Sequence, residues 1–212
     1  MDSEHCLELF RRNPSDLLRR FITMDETWIH HYTPQSNKQS ADWLEAGQSR
    51  PKRPKTHQSA GKVLASIFWD ACGVIFIDYL EKGKTVTGEY YASFLDRLND
   101  ETKKKRHPLA KKKVLFHQGI SPAHKSTNAM AKLHELLPHP PYSPDLAPSD
   151  YWLFKNLKRW LQGQRFRSNE EVEWEADAYF EGLSIDHFSK GIKMLEDRWE
   201  KCIAPEGTYV EE

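Results

Sequence analysis

The sequence of 212 residues predicts an α/β domain whose last third is helical. Three observations carry that prediction. Runs rich in β-branched and aromatic residues occupy positions 21–29, 62–69 and 74–80, a fourth short apolar run follows at 114–117, and helical periodicity alone governs the chain from Tyr151 onward. Strands that give way to a continuous set of helical patterns read as one layered α/β unit.

Taken in order, Leu7, Leu9, Phe10, Leu17 and Leu18 predict a short helix interrupted near Asn13-Pro14. Phe21 to Ile29 then reads as a strand, because β-branched and aromatic side chains favour a pleated, half-buried surface. Residues 34–61 are polar, contain Pro34, Pro51, Pro54, Gly47 and Gly61, and predict an irregular excursion. Lys62 to Trp69 and Val74 to Leu80, joined by Asp70-Ala71-Cys72-Gly73, predict a β-hairpin. Tyr91, Phe94, Leu95 and Leu98 fall at helical spacing within 88–98, with a basic run behind them. Val114 to His117 reads as a buried strand and 122–136 as a helix.

Residues 138–150 hold five of the twelve prolines and predict an extended loop. It opens onto a helix with Leu153, Leu157, Trp160 and Leu161 on one face. Ser168 and Glu171 stand at capping-box spacing before a helix carrying Val172, Ala176, Tyr179, Phe180 and Leu183. A last helix carries Phe188, Ile192, Leu195 and Trp199. With no internal repeat, no low-complexity tract and no clear domain boundary, residues 1–212 read as a single domain. Trp28, Trp69 and Trp152 lie on apolar runs and read as core residues.

Twenty-five Phe, Trp and Tyr residues supply a core, and no apolar run approaches the length needed to cross a bilayer. The first thirty residues lack the pattern of a secretory signal, so a water-soluble, intracellular protein is expected. Cys6, Cys72 and Cys202 are widely spaced and odd in number, which predicts neither a disulfide framework nor a zinc ribbon. The formal net charge is zero, yet this is a cancellation. Residues 169–212 hold 13 acidic and 4 basic side chains, a net of −9, leaving residues 1–168 with 27 basic and 18 acidic, a net of +9. The basic residues cluster as Arg50, Lys52, Arg53 and Lys55, and as Lys103, Lys104, Lys105, Arg106, Lys111, Lys112 and Lys113. Such runs suit the phosphate backbone of DNA, and equally a solvated loop.

Two carboxylates stand out. Asp25 interrupts an otherwise apolar strand, where it is costly to bury unless paired or bound to a metal; the alternative is an edge strand with Asp25 facing solvent. Asp150 precedes a helix, where a carboxylate is favoured by the macrodipole alone.

The strings Thr23-Met24-Asp25-Glu26-Thr27-Trp28-Ile29, Phe116-His117-Gln118 with Pro122-Ala123-His124, and above all Leu137-Pro138-His139-Pro140-Pro141-Tyr142-Ser143-Pro144-Asp145-Leu146-Ala147-Pro148-Ser149-Asp150-Tyr151 closely resemble the catalytic domain of mariner-type transposases. Gly163-Gln164-Arg165-Phe166 and Arg198-Trp199-Glu200-Lys201-Cys202-Ile203 extend the resemblance to the end of the chain. Nothing in it resembles the paired helix-turn-helix region that such transposases carry ahead of this domain. The resemblance implies a ribonuclease-H-like fold, a mixed sheet with flanking helices, with three Asp residues gathering two Mg²⁺ or Mn²⁺ ions for DNA strand cleavage and transfer. It also implies double-stranded DNA, the inverted-repeat ends of a transposon, as partner, admits a homodimer, and points to the nucleus. Segment 38–62 matches the position of the clamp region, and 168–212 forms an acidic helical tail.

By this resemblance Asp25 and Asp150 are the first and third carboxylates, both metal ligands. The second is missing, because the family pattern His-Gln-Asp-Asn-Ala-Pro-x-His reads His117-Gln118-Gly119-Ile120-Ser121-Pro122-Ala123-His124 here. Gln118 belongs to the opposite strand face and is not expected to substitute. The interval from Gly119 to Asp150 is also several residues short of the family pattern, a loss near Leu136 expected to disturb the next strand and to displace Asp150. The sequence therefore predicts a transposase-like domain with weak or absent catalysis. The alternatives are a DNA-binding or dimerising remnant and a decayed, poorly folding copy. His124 is counted with the basic runs as a DNA-contacting candidate, local packing being the other reading. A zinc site from His30, His31, His117 and His124 has no matching ligand spacing.

Overall fold

Strand β1 (Phe21–His30) becomes the centre of the molecule because both later sets of strands pair with it. The structure is a computed structural model that describes residues 2–35, 57–106, 113–119, 124 and 135–204. Helices α1 (Asp2–Arg12) and α2 (Pro14–Arg20) precede β1, and β2 (Lys62–Asp70) and β3 (Gly73–Tyr79) form the expected hairpin. Helix α3 (Gly88–Lys105) leads to β4 (Leu115–Gln118) and then β5 (Glu135–Leu136). A π-helical turn, Ser149–Phe154, runs into α4 (Lys155–Leu161), followed by α5 (Asn169–Glu181) and α6 (Ile185–Ile203).

The sheet order is β3-β2-β1-β4-β5. β1 is antiparallel to β2 and parallel to β4, which is parallel to β5. A parallel neighbour needs a crossover rather than a tight turn, and α3 supplies it between β3 and β4. Because side chains alternate along a strand, the sheet buries two separate faces. On one, Phe21, Ile29, Val63, Ile67, Trp69 and Leu115 pack against Phe10, Leu157, Phe180, Ile192 and Trp199 from the N- and C-terminal helices. On the other, Ile22, Met24, Phe68, Ile75 and Phe116 pack against Tyr91, Phe94, Leu95 and Leu98 of α3. There Phe68 stacks on Phe76 with ring centroids 4.3 Å apart and meets Phe94 edge-on.

Local chemistry accounts for the helix starts. The Asn13 side chain accepts from the Asp16 N–H with Pro14 in the first turn, Thr87 accepts from Tyr90, Ser168 from Glu171 and Ser184 from His187. The three cysteines are free thiols. None of the described helices is long and apolar enough to cross a membrane.

Several expectations need correction. α3 does not stop before the basic run but continues through Lys105, so Lys103, Lys104 and Lys105 form its last turn, where cations suit the helix dipole. Glu135 and Leu136 are strand rather than helix; β5 keeps its register with Leu115 and Phe116, and the Leu137 N–H donates to the Phe116 carbonyl at 2.8 Å. The strand expected to be disturbed near Leu136 is therefore present. Within the proline-rich segment expected to be extended, Pro144–Leu146 form a 3₁₀ turn and Asp150 lies in the π-helical turn. Trp69 is fully buried as expected, but Trp28 is 45% exposed. The core of the excursion at 36–56, with Arg50, Lys52, Arg53 and Lys55, lies outside the described residues, as do Lys111, Lys112 and most of 120–134.

Candidate active site

Asp25 lies midway along β1, opposite Ile67 of β2, on the sheet face that packs against the C-terminal helices. Its strand is central, which excludes the edge-strand reading. Asp150 comes to it from the π-helical turn, close enough for the two carboxyl groups to hydrogen-bond. Single π turns inside helices arise where one residue is accommodated out of the regular ladder, often at functional positions. The approach of this turn to β1 is held by a buried bond from Trp69 Nε1 to Ser149 Oγ at 3.0 Å. On its far side, Tyr151 Oη donates to the Gly191 carbonyl at 2.7 Å and Trp152 Nε1 to the His187 carbonyl at 3.0 Å. Gly191 is required by this contact, because a Cβ there would sit 2.2 Å from Trp152 Cδ1. Arg198, itself buried, donates to the Asp145 carbonyl at 2.8 Å and lies over the Tyr151 ring. Asp150 is therefore not displaced by the shortened interval; α6 and β2 seat it.

The third position converges on the same point. A Cβ on Gly119 would lie 3.9 Å from Asp25 Oδ2 and 4.0 Å from Oδ1, with nothing nearer. Gln118 points the other way, accepting a hydrogen bond from Tyr91 Oη on the α3 face. Asp25, Gly119 and Asp150 thus form a cluster with two carboxylates and one empty side-chain slot. Among the described residues no group of three or more His, Cys, Asp or Glu side chains is placed to hold a metal ion.

Electrostatics follow from that geometry. Burial, together with the neighbouring charge of Asp150, pushes the Asp25 carboxyl up to about 7. Asp150 is also raised, by burial, against the opposing pull of Lys158 and of the hydrogen bond from Asp25. Without a cation the pair therefore holds a proton near neutrality. Since the native pKa of Asp25 exceeds the unfolded value, the folded state binds the extra proton between about pH 4 and 7, and stability from this group falls as pH rises through that window. Buried His117, pushed down to about 3 by burial and by His139, has the opposite slope. Asp25→Asn isolates the first effect. In the absence of divalent metal it stabilises the protein more at pH 8 than at pH 4, as read by urea unfolding at the two values; an equal gain at both would refute it.

His124, counted among the DNA-contacting candidates, is buried and locally packed in this structure. It is 2% exposed, its ring hydrogen-bonds the Gly119 carbonyl at 2.8 Å and Glu26 Oε1 at 3.1 Å, and it packs 4.2 Å from the Tyr91 ring centroid. Burial opposes its charge, but the Glu26 carboxylate and the Gly119 carbonyl outweigh that and raise its pKa. His124, held by Glu26, thus fixes the carbonyl of Gly119. Glu26 went unread in the sequence beside Asp25, although strand alternation places it on the other face; Tyr91, a phenol on an apolar helix face, needed a partner and finds Gln118. His117 pairs with Thr23 and His139 at 3.2 Å each, a neutral buried pair rather than a zinc site. In the basic run, Lys103 and Lys104 remain exposed beside Asp100 and Glu101, Lys105 donates to the Ile75 carbonyl, and Lys113 is exposed. Arg106 is instead taken up by Asp70, with Nε 2.7 Å from Oδ2 and Nη2 3.0 Å from Oδ1.

Comparison with known proteins bears on this arrangement. Residues 33–112 match the family described as Transposase (partial DDE domain). The Mariner Mos1 transposase of Drosophila mauritiana is 34% identical over 209 residues, covering 96% of this chain and 60% of that protein. The crystal structure of the catalytic domain of Mos1 mariner transposase superposes with a TM-score of 0.81 at 33% identity, over 99% of this chain and 92% of that one.

The chain belongs to the mariner-type transposase catalytic domains.

Its five-stranded mixed sheet with flanking helices is accordingly the ribonuclease-H-like fold. This mariner-type chain is also 35% identical over 207 residues to the human Histone-lysine N-methyltransferase SETMAR, covering 95% of this chain and 30% of that protein. It thus spans less than two thirds of either curated relative. Mos1 paired end complexes with Mn and with Mg match at TM-scores of 0.89 and 0.86 and 34% identity, each over 99% of this chain and about 62% and 61% of theirs.

Proposed function

We propose that this mariner-type domain binds DNA, including transposon ends, and that its strand-cleaving chemistry is impaired at position 119. The observation that carries the reading is the slot beside Asp25, where a side chain would enter the carboxylate pair and glycine contributes none. Asp25 and Asp150 are hard oxygen donors and suit one Mg²⁺ or Mn²⁺ held between them. They do not suit a pair of ions, which needs a further carboxylate to share the charge. A bound divalent ion polarises a phosphodiester and lowers the pKa of water. The protein's own part is to hold Asp25 on the central strand, seat Asp150 through Trp69, Tyr151 and Trp152, and hold the Gly119 backbone through His124. Complexes of the Mos1 relative with transposon ends support a DNA partner, and its Mn and Mg complexes support divalent cations as cofactor. A homodimer and a nuclear location follow from this reading as further proposals.

Incubating the purified chain with supercoiled and mariner-end DNA in Mn²⁺ tests it. Binding that weakens steeply with salt, without nicking, is the expected result, because phosphate contacts release counterions. Robust metal-dependent nicking by the unaltered chain would overturn the impairment.

A further inference from the structure

A second cleft lies on the other side of the sheet. α3 covers the face of β1 only as far as Met24, and beyond it Trp28, Leu64 and Leu80 form the floor of a cavity of about 620 Å³, a size typical of small-ligand sites. Trp28 is 45% exposed although its strand is the central one, and a large aromatic left open at such a place marks a surface that takes up a partner. Lys62 Nζ lies over the Trp28 ring, 4.0 Å from its centroid, and a base that stacks on this face displaces it. Lys82 lies on the rim; among the described residues neither lysine is paired with a carboxylate, whereas Lys84 is neutralised by Glu81 at 2.8 Å. Glu170 is the one further acid on the rim. An aromatic plate flanked by uncompensated cations is the construction that binds unpaired bases, the ring stacking on the base and the lysines meeting its phosphates. Trp28 is three residues beyond Asp25 on the same strand, about 10 Å of extended chain. Strand alternation puts the two side chains on opposite sheet faces, so the cleft is a separate contact from the carboxylate pair.

We propose that this cleft binds an unpaired nucleotide of DNA, its base stacked on Trp28 and its phosphate held by Lys62 and Lys82. The proposal rests on the DNA-binding reading above but not on whether the carboxylate site cleaves. It is tested with the full chain by fluorescence titration of a duplex carrying 2-aminopurine in a short single-stranded overhang, beside the same duplex with blunt ends. The unaltered chain quenches the overhang probe and prefers it to the blunt duplex. Trp28→Ala weakens overhang binding by about 5- to 100-fold, in line with the loss of one stacked base, and leaves blunt-duplex affinity unchanged. Lys82→Glu, on an exposed turn remote from the core, weakens overhang binding and lowers its salt dependence; Trp174→Ala, an exposed tryptophan on α5, changes neither. Equal affinity of the unaltered chain for the two duplexes, or overhang binding that survives both Trp28→Ala and Lys82→Glu, overturns the cleft while sparing the DNA reading. Failure to bind either duplex overturns both.

Discussion

Replacing Gly119 by Asp raises the affinity of the chain for Mn²⁺ on the order of 100-fold and brings metal-dependent nicking with it. The backbone at 119 is outside the left-handed region, and a Cβ there makes only ordinary contacts at 3.9 and 4.0 Å with the Asp25 carboxylate, so a side chain enters without strain. The Gly119 carbonyl is already held by the His124 ring. At about 4 Å and an effective dielectric near 20, one pair of unit charges is worth about 4 kcal/mol. Desolvation of the new carboxylate and its repulsion by Asp25 and Asp150 offset part of that, leaving roughly 2–3 kcal/mol, the 100-fold range. The same repulsion works against the fold when no cation is present. The variant is therefore less stable than the parent in EDTA, by about 1–2 kcal/mol, and regains the difference in Mn²⁺. Calorimetric titration with Mn²⁺ and thermal unfolding with and without EDTA measure the two halves. Unchanged Mn²⁺ affinity would remove Gly119 from the site.

Arg106→Ala destabilises the chain by about 3–5 kcal/mol, the cost of leaving a buried charge without its partner. The Asp70 side chain is 3% exposed and Arg106 18%, and the guanidinium contacts both carboxylate oxygens. Asp70 also accepts from the Cys72 N–H at 2.8 Å, so this carboxylate organises the turn between β2 and β3 while Arg106 ties it to the end of α3. Lys103→Ala, three residues away with a side chain 66% exposed, changes stability by no more than about 0.5 kcal/mol. Combining Arg106→Met with Asp70→Asn removes both charges while keeping an acceptor for Cys72, and costs less than Arg106→Ala alone. Urea unfolding of the four proteins reads the series. An Arg106→Ala variant within 1 kcal/mol of the parent would show that the pair is not holding the hairpin.

These two positions also show how far the sequence could be read. Gly119 was legible because its neighbours, His117, Gln118, Pro122, Ala123 and His124, keep a recognisable pattern around a missing carboxylate, and strand parity already removed Gln118 as a substitute. Arg106 was misread because it ends a run of four basic residues, and nothing in a run tells which member will meet a carboxylate 36 positions earlier. Trp28 failed for a related reason. Its apolar strand predicted burial, but burial also needs a covering element, and α3 packs over the sheet only as far as Met24. His124 was grouped with the cationic residues, yet its place was set by Glu26 on β1 and Tyr91 on α3.

By itself the sequence determined the order of strands and helices apart from β5, the carboxylates at 25 and 150, and the absence of one at 119. Those features are local, written in side-chain alternation, helical spacing, caps and a long motif, and they survive whatever lies opposite them. Only the tertiary structure decided that Asp150 still reaches Asp25 across a shortened connection, that Arg106 is a strut, that His124 is an anchor, and that Trp28 floors an open cleft. Each of these depends on which residues distant in sequence are brought face to face, and that is set by the pairing of β1 with both β2 and β4 and by where α3 comes to an end.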